Sequence, residues 1–284
     1  MELTASVRTN HAQPSLAYDV IHLERGHIYR GHLLLVNSSH PIMVPQDAAD
    51  LVLVDRMYAA SHSYEPDLSL EKTCFEQLQA LLKACRATDR IAVVSGYRSR
   101  EAQAQIYETS LRDNGAAFTA SYVARPNESE HQTGLAVDVG ERTDHVDYIR
   151  PSFPDRGVCF VFKRLAAEYG FIQRYQTGKE AITNIACEPW HFRYVGFPHS
   201  AIMEQRGFCL EEYIEYVKQY TFQRSHLVME HKHAAIEIYY VPAEGGITNV
   251  PVVRGDRYCL SGNNQDGFVV TVFHRKGSDK HGCA

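Results

Sequence analysis

At 284 residues the chain is long enough for one large domain, or for one domain with an appendage. Its 44% hydrophobic and 22% charged residues are the balance of a globular protein, and a net charge of -5 gives no basic face for nucleic acid. No apolar run is long enough to span a bilayer and no apolar stretch of the signal-peptide kind lies near residue 1, while the seven cysteines are scattered without a C-x-x-C; together these predict reduced, mostly buried thiols, no membrane partner and a cytoplasmic location.

In chain order, residues 1–25 are polar and irregular and read as a loose arm. A short buried strand is expected over 32–37, stopped by Asn37-Ser38-Ser39, and a second over 49–54. From Pro66 the period changes: Leu70, Phe75, Leu78, Leu81, Leu82 and Cys85 fall near helical spacing, with Asp67 or Ser69 as caps and an end near 87–89. A buried strand follows over 91–96. Ser99 is placed to cap a helix over 100–112, closed by Asn114-Gly115. An amphipathic helix is predicted over 158–169 with Gly170 after its end, then strands over 171–175 and 190–195. In the second of these His191, Arg193 and Val195 share a face. Residues 199–232 read as helical. Short β runs over 235–241, 250–253 and 267–273 suggest a small β appendage. The expected division is an arm (1–25), a main domain (26–232), the appendage (233–276) and a disordered tail (277–284). The expected class is α+β, a small mixed or antiparallel sheet flanked by helices.

Chemistry is concentrated in two stretches, Ser129-Glu130-His131-Gln132-Thr133-Gly134-Leu135-Ala136-Val137-Asp138 and, about fifty residues on, Glu188-Pro189-Trp190-His191. His131, Asp138 and His191 offer two imidazoles and one carboxylate with a fourth position open, the ligand count of a catalytic zinc, and Glu188 is a spare carboxylate. Ordinary readings compete. A lone histidine is more often a surface or satisfied core residue. Asp138, in the apolar run 135–139, needs a partner because a buried ionised carboxylate is costly alone, but that partner could be an arginine instead of a metal. Pro189 argues against a helix through the second stretch, so Glu188 and His191 are expected on an extended or turn segment.

The pattern S-x-H-x-x-G-x-A-x-D followed by E-x-W-H resembles the signature of the D-alanyl-D-alanine peptidases of the VanX/VanY type, the M15 zinc peptidases. Ser95-Gly96-Tyr97-Arg98-Ser99 and Leu33-Leu34-Leu35-Val36-Asn37 are similar to that family as well. Over about residues 28–275 the likeness is greatest to the VanXY branch, the bifunctional D,D-dipeptidase/D,D-carboxypeptidases of vancomycin resistance. The resemblance implies one Zn2+ per chain on His131, Asp138 and His191, and small peptide substrates ending in D-Ala-D-Ala. It implies Glu188 as the acid/base and Arg98 as a cation aimed at the scissile carbonyl, where the ordinary reading is a surface arginine in a salt bridge. It further suggests Ser129 and Gln103 as substrate contacts.

Three alternatives stay open at this level. The same zinc chemistry could act on another cell-wall bond, L,D- or endopeptidic. The chain could be a zinc-stabilised wall-binding module without activity, although such a module needs neither Glu188 nor Arg98. The β appendage could carry a wall-binding role of its own. The stretches 141–155 and 176–187 are candidates for a loop that sets dipeptide against pentapeptide preference. Oligomeric state is not legible.

Overall fold

The computed structural model describes residues 6–11, 17–60, 67–143, 146–232 and 234–275. In chain order the strands are β1 (Ser6–His11), β2 (Tyr18–Glu24), β3 (Leu51–Leu53), β4 (Ser69–Glu71), β5 (Ile91–Ser95), β6 (Ala136–Glu141), β7 (Phe171–Gln173), β8 (His191–Tyr194), β9 (Ser225–His231), β10 (Ala234–Pro242), β11 (Ile247–Val253), β12 (Arg257–Gly262) and β13 (Gly267–Arg275). The helices are α1 (Lys72–Ala84), α2 (Arg100–Tyr122), α3 (Gly157–Ala166), α4 (Glu180–Thr183), α5 (His199–Arg206) and α6 (Leu210–Val217). The class is α+β, with antiparallel pairing within every sheet.

The chain divides into two compact units, 35–211 and the combination of 1–34 with 212–284. This differs from the expected 26–232 and 233–276. The physical reason is strand pairing at long range. β1 pairs with β9 and β2 with β11, so the stretch expected as a loose arm supplies two strands whose partners lie near the other end of the sequence, where no local pattern could announce them. Residues 1–5, 12–16 and the expected tail 277–284 lie outside the described residues, as do His145 and His233.

Unit 35–211 is built on a four-stranded sheet in the order β5-β6-β8-β7. Alternation along each strand sorts its side chains between two faces. Val93, Val137, Val139, Phe192 and Tyr194 join Leu70, Phe75, Leu78 and Leu82 around α1, and Cys159 and Phe162 of α3, in one apolar core. The intervening positions, among them Asp138, His191 and Arg193, belong to the opposite face. α1 begins later than the spacing predicts, because 69–71 is taken up in β4; Glu71, in place of Asp67 or Ser69, then caps it by accepting from the Cys74 amide at 2.8 Å. Ser99 caps α2 as expected, accepting from the Ala102 amide. α2 continues past Asn114-Gly115 to Tyr122, however, with Gly115 at φ 79° as a kink and not a stop.

The second unit holds a five-stranded sheet, β1-β9-β10-β13-β12, and the pair β11-β2. Val250, Val252, Val270, Val272, Tyr239 and Ile28 lie in its core. The helical expectation over 199–232 holds only as far as α5 and α6. Gly207, left-handed at φ 64°, ends the first, and 225–231 is β9. Residues 33–36 are buried, but 32–37 is not a strand: Leu33 donates its amide to Ser261 Oγ, and Asn37 turns to pair with His40. Cys74, Cys85, Cys159 and Cys209 are buried, Cys187 is half-buried and Cys259 is exposed, and none of these six forms a disulfide. Among the described residues no helix is long and apolar enough to cross a membrane.

Candidate active site

Three neighbouring strands place one site residue each in a row. Ser95 on β5 lies opposite Asp138 on β6, and Asp138 lies opposite His191 on β8. A register shift between Val93 and Ser95 sets the first of these pairings. His131 comes from the one-turn 3-10 helix Glu130–Thr133, which ends in Gly134 at φ 70° and leads straight into β6. A β-carbon at Gly134 would stand 2.8 Å from Leu51 Cδ2 and 3.0 Å from the Glu71 amide, so the turn needs glycine twice over, for conformation and for space.

His131, Asp138 and His191 are each buried, and they offer ligand atoms that all lie within 4.8 Å of one another. The aspartate carboxylate bridges the two rings, with Oδ2 3.2 Å from His131 Nε2 and Oδ1 3.0 Å from His191 Nδ1. His131 Nδ1 is 2.6 Å from the Gly96 carbonyl, which only accepts; the ring proton therefore sits on Nδ1, and Nε2 presents a lone pair toward Asp138. A lone pair facing a carboxylate across 3.2 Å is an arrangement that a cation resolves. The donor set, two imidazoles and one carboxylate, fits zinc.

Glu188 closes the site from the turn that Pro189 forces. Its amide donates to the Tyr175 carbonyl, and its own carbonyl accepts from the His191 amide. Its Oε2 lies 3.9 Å from His191 Nδ1. Burial pushes this carboxyl up to about 8, against the opposing pull of His191 and Arg98. Burial also holds His131 below its ordinary value, aided by the Arg98 charge. Asp138 goes the other way: burial opposes ionisation, but the two histidines keep it well below the usual carboxylate range.

Arg98, at the corner between β5 and α2, donates to Ser95 Oγ and, at 3.1 Å, to Asp138 Oδ2. Asp138 thus has the arginine partner that the sequence allowed, beside imidazoles that fit a metal. Gln103 is fully buried. Its Oε1 accepts from Arg98 Nη1 at 3.4 Å and its Nε2 donates to the Ala124 carbonyl at 2.8 Å, so it braces Arg98 with both ends of its amide. Ser129 is buried at the start of the His131 turn, and its side chain does not cap that turn. All seven residues singled out in the sequence are thus brought together in unit 35–211.

Reasoning from sequence missed a second layer. Glu130, Arg174 and Arg193 are buried together, with Glu130 Oε1 accepting from Arg174 Nε and Arg193 Nη1, both at 2.8 Å. Arg174 is gripped further by both carboxylate oxygens of Glu211, at 2.9 and 2.7 Å. Tyr175 lies against the His191 ring, with centroids 4.9 Å apart. The one signal available was that Arg193 shares the His191 face by period two.

Residues 67–197 match the family model described as VanY, D-alanyl-D-alanine carboxypeptidase. Over 188 residues, 66% of this chain and 95% of the relative, the sequence is 40% identical to the bifunctional D-Ala-D-Ala dipeptidase and D-Ala-D-Ala carboxypeptidase VanXYC of Enterococcus gallinarum. The chain belongs to the VanY D-alanyl-D-alanine carboxypeptidase family. Among solved members, the vancomycin resistance D,D-dipeptidase VanXYg in complex with a D-Ala-D-Ala phosphinate analogue superposes with a TM-score of 0.85 at 46% identity, over 91% of this chain and all of that one. The LdcB LD-carboxypeptidase is more distant within the same group of folds, with a TM-score of 0.56 at 33% identity over 65% of this chain and 86% of that one.

Proposed function

We propose that the chain is a zinc-dependent D,D-peptidase that hydrolyses D-Ala-D-Ala and removes the terminal D-Ala from peptidoglycan pentapeptide precursors. The observation that carries this is the convergence of His131 Nε2, Asp138 and His191 Nδ1 beside the buried carboxyl of Glu188. The match to VanXYC and VanXYg along nearly their whole length supports the choice of bond.

His131, Asp138 and His191 would hold one Zn2+. The bound ion supplies a Lewis acid and brings a water's pKa toward about 7. Glu188, its Oε2 3.9 Å from His191 Nδ1, is the carboxylate beside the three donors and would take the proton of the attacking water and return it to the leaving D-Ala nitrogen. Its burial strengthens its hold on a proton, which suits a carboxylate that takes one from water before passing it on. Arg98, fixed by Ser95, Gln103 and Asp138, places a guanidinium where negative charge grows on the carbonyl oxygen. Ser129, with its hydroxyl not used in the turn, contacts the substrate. Gln103 acts through Arg98, which refines the direct contact that the resemblance implied.

The deciding experiment measures D-Ala release by the zinc-loaded protein from D-Ala-D-Ala and from a pentapeptide precursor ending in it, with an L,D-linked tetrapeptide beside them. Release from both D,D substrates is expected. Release from the tetrapeptide alone would transfer the chain to the L,D reading, and no release from any of the three would remove the catalytic one.

A further inference from the structure

Resting on the metal-site reading above, we propose that Glu130 is a positioning residue for the metal: its pinned carboxylate selects the imidazole tautomer of His191 that can act as a ligand. The His191 ring lies between two carboxylates. Nδ1 is 3.0 Å from Asp138 Oδ1, and Nε2 is 3.5 Å from Glu130 Oε2. A neutral imidazole carries one proton, so the two carboxylates compete for it. With the proton on Nδ1 the ring donates to Asp138, and the atom that should bind metal is blocked. With the proton on Nε2 the ring donates to Glu130, and Nδ1 presents its lone pair to the site.

Glu130 is the partner left to His191 once a cation engages Asp138. Its Oε1 is held by two guanidiniums, Arg174 Nε and Arg193 Nη1, each at 2.8 Å. Those bonds fix the carboxylate plane, and Oε2 is left facing Nε2. Among the described residues both of these atoms are buried without a close hydrogen bond of their own, so each is the partner the other needs. The clamp also shares a frame with the ring it clamps: Arg193 is on β8 two residues beyond His191, and the Arg174 amide donates to the His191 carbonyl. A purely structural ion cluster would need only Oε1, since two carboxylates, Glu130 and Glu211, already balance two arginines.

The test compares wild type with Glu130→Gln and Glu211→Gln. In the first, the amide oxygen can serve the arginines only by turning its NH2 group toward Nε2, which inverts the preferred tautomer. The second breaks the same network at its far end, away from the ring. Zinc dissociation constants are measured by competition with a chromogenic chelator, metal-free stability by thermal melting, and the His191 tautomer by 15N NMR of the zinc-loaded proteins. Glu130→Gln is expected to bind zinc about tenfold or more weakly, while Glu211→Gln melts earlier and loses clearly less zinc affinity than Glu130→Gln. In the loaded wild type the Nε2–H signal of His191 is expected. Unchanged affinity in Glu130→Gln, or an equal loss in Glu211→Gln, would overturn the inference. Should Glu130→Gln not fold, Glu130→Asp, which keeps the charge but withdraws the carboxylate from the ring, is read by the same criteria. A wild type that takes up no zinc would defeat the metal reading and this inference together. A wild type that binds zinc and releases D-Ala beside a Glu130→Gln of full affinity would defeat this inference alone.

Discussion

At the scale of single residues, the division between holding the metal and moving the proton is sharp enough to test. Glu188 lies 3.9 Å from His191 Nδ1 and is not among the three clustered candidate ligands. Glu188→Ala is therefore expected to keep its zinc, measured by elemental analysis, while kcat falls by about 100-fold or more, the range lost with a general base. Wild-type turnover in that variant would remove Glu188 from the mechanism. Arg98→Met keeps the aliphatic length but not the charge. Its kcat is expected to fall by about 100-fold with KM changed much less, because the guanidinium acts on charge present only in the transition state. An equal change in KM with kcat preserved would make Arg98 a substrate-binding group instead. Each of these residues stands in a motif, which is what let the sequence assign it a role to test. It could not show what Gln103 does, since a spacing of five residues from Arg98 does not say which of them the other touches.

At the scale of elements, the site depends on one turn and one row across a sheet. Gly134 is the hinge between the His131 turn and the Asp138 strand. Gly134→Ala puts a side chain at φ 70° and a β-carbon 2.8 Å from Leu51 Cδ2, so a loss of stability of about 1–3 kcal/mol is expected by chemical denaturation. Zinc affinity should fall with it, because the turn carrying His131 must shift. A variant of wild-type stability would mean that the turn adapts without glycine. The strands β5, β7 and β8 and the helices α1 and α3 were legible in outline, because their apolar spacing and their caps are local signals, whereas β6 showed only as an apolar run around Asp138. Two features were not. β9 contains Leu227, Met229 and Glu230, residues comfortable in a helix, and only its pairing with β1 and β10 makes it a strand. The shift between Val93 and Ser95 leaves no trace in composition, although it sets which residue stands opposite Asp138.

At the scale of the whole molecule, all the site residues belong to unit 35–211, whereas a separate ionic cluster, His226, Glu237 and His274, lies within the other unit. Burial alone would raise the Glu237 carboxyl. Hydrogen bonds from His226 and from His274 at 3.0 Å outweigh it and bring the group from its ordinary 4.5 down to about 2. His274 is raised above its ordinary 6.5 by the same bond, with burial opposing and the Asp256 charge assisting. The signs then define a window. A depressed carboxylate adds stability that is present above 4.5 and is lost as pH falls toward about 2. A raised imidazole adds stability that is complete below 6.5 and is lost as pH rises through its folded value. Both contributions are present together between 4.5 and 6.5. Glu237→Gln should thus lower the melting temperature most in that window, with the gap to wild type narrowing toward pH 2 and again above neutrality. D-Ala release by the folded variant near pH 7 should match wild type, because no ligand, base or brace of the site is touched. A pH-independent gap would mean that Glu237 contributes only by packing. A loss of turnover without unfolding would mean that the second unit does more for catalysis than any of its own contacts explains.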